Sequence, residues 1–210
     1  EAFTGRRNFA PLTEEFGTRF DVERASIKLY ASCRWTHAPL DGFYAILKEH
    51  KIKAEDIASI DIRLSNAGVP IINNNELLTH NMQFVVSVVA NYGEITRDAY
   101  YPPLAQDPKV WDLARRITVT GDEELDKVYP QKRPAIIKVA MKDGRVFEKY
   151  IEYARGNTEN PVSAQELEDK FMGLAVPVVG QAKASELVRV CRKLEEVSDA
   201  SRIGQLVRTD

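Results

Sequence analysis

Cysteine is scarce in this chain: only Cys33 and Cys191 occur in 210 residues. They lie far apart, so no disulfide framework is available, and both are expected to be free thiols of a reducing compartment. Histidine is nearly as rare, with His37, His50 and His80. No spacing among these and the cysteines resembles a zinc pattern, and no HExxH is present, so no metal and no cofactor is expected. A charge of one sign is missing too. Lys and Arg number 29 against 31 Asp and Glu, a formal net charge of -2, so there is no broad basic surface for nucleic acid or anionic lipid. No apolar run is long enough for a membrane helix, and the start lacks the charged, apolar, small-residue order of a signal peptide. A cytoplasmic protein with no nucleic-acid or membrane partner is expected. Internal repeats, low-complexity tracts and Gly-rich phosphate loops are also absent. Because the first residue is Glu1 and not Met, the chain is expected to be a processed product or one piece of a longer protein.

What is present is ordinary globular composition, 44% hydrophobic and 29% charged, enough for one sizeable core or two small ones. Phe3, Phe9, Leu12, Phe16 and Phe20 are irregularly spaced and interrupted by Gly5, Pro11 and Gly17, which predicts short helices and loops. Arg6 and Arg7 could meet an anion or a neighbouring chain, or stay solvated. Ile27, Leu29 and Ala31 alternate with Lys28, Tyr30 and Ser32, as in a half-buried strand. From His37 a helical pattern begins through Leu40, Phe43, Tyr44 and Leu47, with Thr36 as its expected cap.

Ile57 to Leu64 alternates as a second strand. A loop follows to Thr79, carrying asparagines at 73 to 75. Asn81 to Tyr92 has helical spacing but is rich in valine, so a buried strand competes. Asp107-Pro108 opens a helix, and Ile117 to Thr120 reads as a strand. The runs 135–141 and 146–153 flank Asp143-Gly144, which predicts a hairpin with a two-residue turn. Ser163 and Glu166 form a capping box ahead of Leu167, Phe171 and Leu174. A further helix from about Ala182 to Val197 is expected to turn Leu187, Val190, Cys191 and Leu194 inward. The reading is an α+β fold: residues 1–156 mix strands and helices around a small sheet, and residues 157–210 are helical.

The segment Ser26 to Asp41 holds the densest set of reactive side chains. Its order Lys28-x-Tyr30, small residues, Cys33-Arg34-Trp35-Thr36-His37, then a helix, resembles the KPYPCCRYTH-type segment of the MmgE/PrpD family, which includes 2-methylcitrate dehydratases, cis-aconitate decarboxylases and iminodisuccinate epimerases. Met82-Gln83-Phe84, Lys142-Asp143-Gly144-Arg145, Asn160-Pro161-x-Ser163 and Glu166-Leu167-x-x-Lys170-Phe171 match other motifs in the same order. The resemblance covers only the C-terminal half of a typical member. It implies a lid domain followed by helices that pack on an N-terminal helical domain absent here, which carries other catalytic residues. Homodimerisation or a hetero-oligomer with a companion subunit is also implied. Ala31 replaces the family's proline and Ser32 its second cysteine, changes expected to tune the shape of the pocket and leave the general chemistry intact.

For such a family the expected substrate is a small di- or tricarboxylate. Removing a proton α to a carboxylate needs a base and cations for the developing enolate. Lys28 is the first candidate base, since family members use a lysine at this position; on residue types alone it is an exposed structural lysine. Arg34 suits a bidentate carboxylate clamp, or an ion pair with Asp41. His37 is a candidate acid or base, or completes local hydrogen bonds. Tyr30 can donate a proton to a leaving hydroxyl, or simply fill space with its ring. Cys33 near His37 suggests a nucleophile only weakly, so Cys33, with Ser32, is expected to line the pocket. His80 and the asparagine loop could reach substrate or stay solvated. The leading expectation is part of a lyase or isomerase working by hydration or dehydration; a non-catalytic interaction module with the lid fold is the alternative.

Overall fold

Alternating apolar residues make Ile57–Leu64 the central strand β1 of the protein, whose structure, a computed structural model, describes residues 14–209. The Arg6-Arg7 pair and Phe3, Phe9 and Leu12 lie outside the described residues. Strand β2 (Ile117–Gly121) runs parallel to β1 with Ile62 opposite Val119. Strand β3 (Ala135–Met141) is antiparallel to β1 with Ile62 opposite Ile137, and β4 (Val146–Ile151) completes the order β2-β1-β3-β4. Ile60, Ile62, Leu64, Ile117, Val119, Ile137 and Val139 form one buried face. Polar residues occupy the other: Arg63 reaches Asp122 at 3.2 Å, and the Thr118 hydroxyl donates to Asp61 at 2.9 Å. This mixed sheet thus has one dry and one wet face, a pattern common in antiparallel sheets.

Helices cover the apolar face. Helix α1 (His37–His50) packs on β3 and β4. Its Gly42 permits the approach, because a Cβ there would stand 2.6 Å from Ile137 Cγ2. After the four-residue α2 (Val69–Ile72) comes α3 (Met82–Tyr92), in which every residue from Met82 to Val89 is buried. The competing strand reading of this valine-rich run fails because both ends are set for a helix. The Asn81 side chain accepts from Phe84 N at 2.9 Å, and Gly93 at φ +86° stops the chain. Helix α4 (Pro108–Ala114) is capped by Asp107 as expected, and the short α5 (Glu123–Asp126) follows β2.

Two expected details are corrected. The β3–β4 turn has three residues, not two: Met141 N donates to Arg145 O and Gly144 N to Met141 O, with Gly144 alone at positive φ (+88°). A type I turn followed by a left-handed glycine fits this count, and Asp143 is spared the positive φ that a two-residue turn demands. Ile27 to Ala31 is not a strand. It is irregular, and Ile27 N donating to Gly156 O at 2.8 Å takes the place of a ladder.

The first compact unit ends at Asn160, and the second begins at Pro161. In the second, α6 (Ala164–Val179) carries the expected capping box: Ser163 Oγ accepts from Glu166 N, and Glu166 Oε2 from Ser163 N. Leu167, Leu174 and Val178 of α6 are exposed. Helix α7 (Gln181–Cys191) buries Ala184, Leu187 and Val190 but stops six residues earlier than expected, with Arg192 as its C-cap; Cys191 and Leu194 are exposed rather than inward. Leu194–Glu196 forms a separate single turn, and α8 (Ser201–Leu206) ends the unit.

Candidate active site

The segment from Tyr30 to Asp41 is drawn together by hydrogen bonds from three places. Tyr30 packs its ring 5.0 Å from His37 and 5.3 Å from Tyr44, and its hydroxyl donates to Asp41 Oδ1 at 2.5 Å. The other carboxylate oxygen of Asp41 accepts from Arg155 N at 2.7 Å, tying α1 to the chain leaving β4. Burial, then the hydrogen bond to Asp41, pushes the Tyr30 phenol far above its ordinary range. Burial likewise raises the Asp41 carboxyl, against the pull of its hydrogen bonds and of Arg34 and Arg155. Tyr30 therefore keeps its proton at physiological pH and acts as a donor.

Arg34 makes no ion pair with Asp41. Its hydrogen bonds go to neutral acceptors: His37 Nδ1 at 2.9 Å, Arg155 O at 3.1 Å, and the side-chain oxygen of Asn157. Because a guanidinium only donates, His37 Nδ1 is an acceptor and the ring proton sits on Nε2. His37 is wholly buried. Of the two readings open for His37, acid or base or completion of local hydrogen bonds, the bond to Arg34 is of the second kind, and it orients that guanidinium. Burial lowers the Arg34 pKa; the nearby Asp41 carboxylate opposes this, and Arg133 adds to it.

Thr36 does not cap α1, because its hydroxyl is taken elsewhere. It bonds Cys33 O at 2.8 Å and Ser32 Oγ at 2.6 Å, and this buried knot shapes the bend. Cys33 is buried, and its N–H donates to Thr79 O at 2.8 Å, which brings the next residue, His80, alongside; His80 Nδ1 lies 3.0 Å from the Thr79 hydroxyl. The asparagine loop is clamped: Gln83 accepts from Asn74 N and donates to Asn73 Oδ1 at 2.7 Å. Lys28 is exposed. It is not among the residues that line the adjoining cleft, whereas Ser26 and Arg34 are.

That cleft, about 270 Å³, lies beside Arg34 and is lined by Arg24, Trp35, Arg133, Asn157 and Glu159 among others. Arg133 was not singled out by sequence; it precedes β3, and the signal for it is a basic residue between Tyr129-Pro130 and Pro134 that can stack on an aromatic. Its guanidinium sits 5.0 Å over the Trp35 ring and 6.0 Å over that of Tyr129. In two other hollows the arginines are already engaged. In the second unit, Arg189 and Arg202 share Glu186, and near α4 Arg116 is spent on the carbonyls of Ile57 and Ala58. No group of three or more His, Cys, Asp and Glu side chains among the described residues is placed to hold a metal ion.

A small mixed sheet with helices on one face, a Lys-x-Tyr and Cys-Arg-aromatic-Thr-His segment folded into a bend ahead of α1, and a capping-box helix beyond it define a domain class. Residues 30–196 match the model of the MmgE/PrpD C-terminal domain, and the chain belongs to the MmgE/PrpD family. It is 22% identical over 202 residues, 90% of its length, to cis-aconitate decarboxylase of Mus musculus, and 23% identical over 86% of its length to that of Aspergillus terreus. It is 33% identical over 115 residues, half of its length, to 2-methylcitrate dehydratase of Cupriavidus necator. The chain spans 40% of the length of the first two relatives and 24% of the third. No helix among the described residues is long and apolar enough to cross a membrane.

Proposed function

We propose that this chain is the lid and C-terminal portion of a lyase that acts on a small di- or tricarboxylate by α-proton chemistry, of the kind a dehydratase performs. The observation that carries this reading is Arg34, a half-buried guanidinium at a cleft, whose hydrogen bonds among the described residues go to neutral acceptors. Asp41 acts on Arg34 only at a distance, and a substrate carboxylate supplies the direct bidentate partner. In this reading Lys28 takes the α-proton, Tyr30 gives a proton to the leaving hydroxyl, and Arg34, oriented by His37, holds a carboxylate and stabilises the developing enolate. Ser32, Cys33 and His80 shape the neighbouring wall. An exposed lysine is a poor base at neutral pH, so an N-terminal helical domain or companion subunit covers Lys28 and desolvates it. The same partner, or a second copy in a homodimer, covers the exposed Leu167, Leu174 and Val178 of α6. Isomerisation shares the proton-abstraction step and differs in the loss of water, and the compartment is the cytoplasm.

The test is turnover of cis-aconitate and 2-methylcitrate by the chain combined with the companion region. Lys28→Ala is expected to lower it about a hundredfold, the equivalent of roughly 3 kcal/mol of lost transition-state stabilisation. Unchanged turnover would leave the chain as a non-catalytic interaction module.

A further inference from the structure

The cleft holds a second cation that the proposed reaction has not used. Arg133 lies over the ring of Trp35, the residue that follows Arg34, and its presence is felt by Arg34 as like-charge repulsion. Neither guanidinium has a carboxylate partner within 4.0 Å among the described residues. The lining acid Glu159 accepts from the Thr158 hydroxyl at 3.0 Å instead. Arg24 and Ser26 complete the rim, so three arginines face one acid across a space of about 270 Å³. The Asp41 carboxylate offsets part of this repulsion from outside the cleft lining, and an anion bound between the two guanidiniums relieves what remains and replaces their lost hydration.

The aromatic stack adds a separate reason. Trp35 and Tyr129 lie with ring centroids 5.6 Å apart, and both support the plane of Arg133. A guanidinium stacked on rings keeps its in-plane N–H groups unspent and pointed outward from its edge, so its donor fork is pre-set for a planar acceptor. Arg34, by contrast, is held by His37 Nδ1, Arg155 O and Asn157. The two arginines thus offer separate donor sets on one cleft.

We propose that Arg133 is a specificity-determining residue that holds a second carboxylate of the ligand, while Arg34 holds the first; the cleft then selects ligands with two or more carboxylates over those with one. The inference rests on the reading of the cleft as a substrate site, and its test needs no turnover. Calorimetric titration of the full chain would use tricarballylate, with acetate and inorganic phosphate as the comparison arms. Tricarballylate is expected to bind more tightly than either. Arg133→Gln is expected to weaken tricarballylate binding about tenfold or more, as loss of a charge-assisted hydrogen bond does. Arg133→Lys, which keeps the charge and loses the fork, is expected to fall between the two, and a thermal melt of each variant excludes unfolding as the cause. The proposal is overturned if the chain binds no tricarballylate, if Arg133→Gln binds it as the parent does, or if phosphate binds equally well. Failure of this kind beside a turnover that still depends on Lys28 removes Arg133 alone. Turnover indifferent to Lys28 beside an intact Arg133 effect removes the lyase reading and leaves the anion site.

Discussion

Gly156 is where the fold and the site segment depend on a single backbone position. Its φ is +85°, and a Cβ added there would stand 2.0 Å from the carbonyl oxygen of Ile27 and 3.0 Å from its carbon. Both are backbone atoms, so no side-chain rotation relieves the contact. In Gly156→Ala the left-handed conformation costs about 1–2 kcal/mol. Ile27 must also retreat, breaking the bond from Ile27 N to Gly156 O, a loss of about 1 kcal/mol. The sum is roughly 2–3 kcal/mol, and with a urea m-value of about 2 kcal/mol/M the midpoint falls by roughly 1 M or more. Gly144→Ala supplies the control: φ is +88° but the space around the new Cβ is open, so only the conformational cost of about 1–2 kcal/mol is expected. Urea unfolding of the two variants, followed by far-UV circular dichroism, separates the terms. A Gly156→Ala shift no larger than that of Gly144→Ala would refute the claim that this contact anchors the segment leading to Tyr30.

Two further outcomes follow from the structure. Burial raises Tyr30 and Tyr100 strongly and Tyr44 to about 12, whereas a phenol in the unfolded chain ionises near about 10. A folded-state pKa above the unfolded one gives stability that is complete below pH ~10 and is lost as pH rises toward 12. Chemical unfolding between pH 9 and 12 should show that decline, and a flat profile would contradict the buried tyrosines. Removing the Ser163 cap by Ser163→Ala is expected to cost about 1 kcal/mol and to speed amide exchange in the first turns of α6; unchanged exchange there would show that the capping box does not hold the helix.

Elements specified by neighbours in sequence were the readable ones. The alternation in Ile57–Leu64 carries its own bounds, and Asp107 and Ser163 announce their helices because each caps a backbone N–H two or three residues away. Reading failed where a distant partner decides. Ile27, Leu29 and Ala31 alternate as a strand does, yet no strand lies alongside, and Ile27 N instead donates to Gly156 O, far along the chain. Thr36 has the right type for a cap, but Ser32 and Cys33 claim its hydroxyl first. Within the site, Tyr30, Arg34 and His37 do meet, since a bend and the first turn of a helix bring them together. Arg133 stands just ahead of β3, far along the chain from Trp35, and only folding sets it on that ring.

The central claim is that the Lys28 to His37 segment removes a proton α to a carboxylate. It is tested most directly by following exchange of the substrate's α-hydrogen for deuterium by proton NMR in D2O, with the chain and its companion region present. The account expects exchange in the parent protein and a loss of about a hundredfold in Lys28→Met, with a similar loss in Arg34→Gln. Exchange that continues at the parent rate in both variants would contradict it.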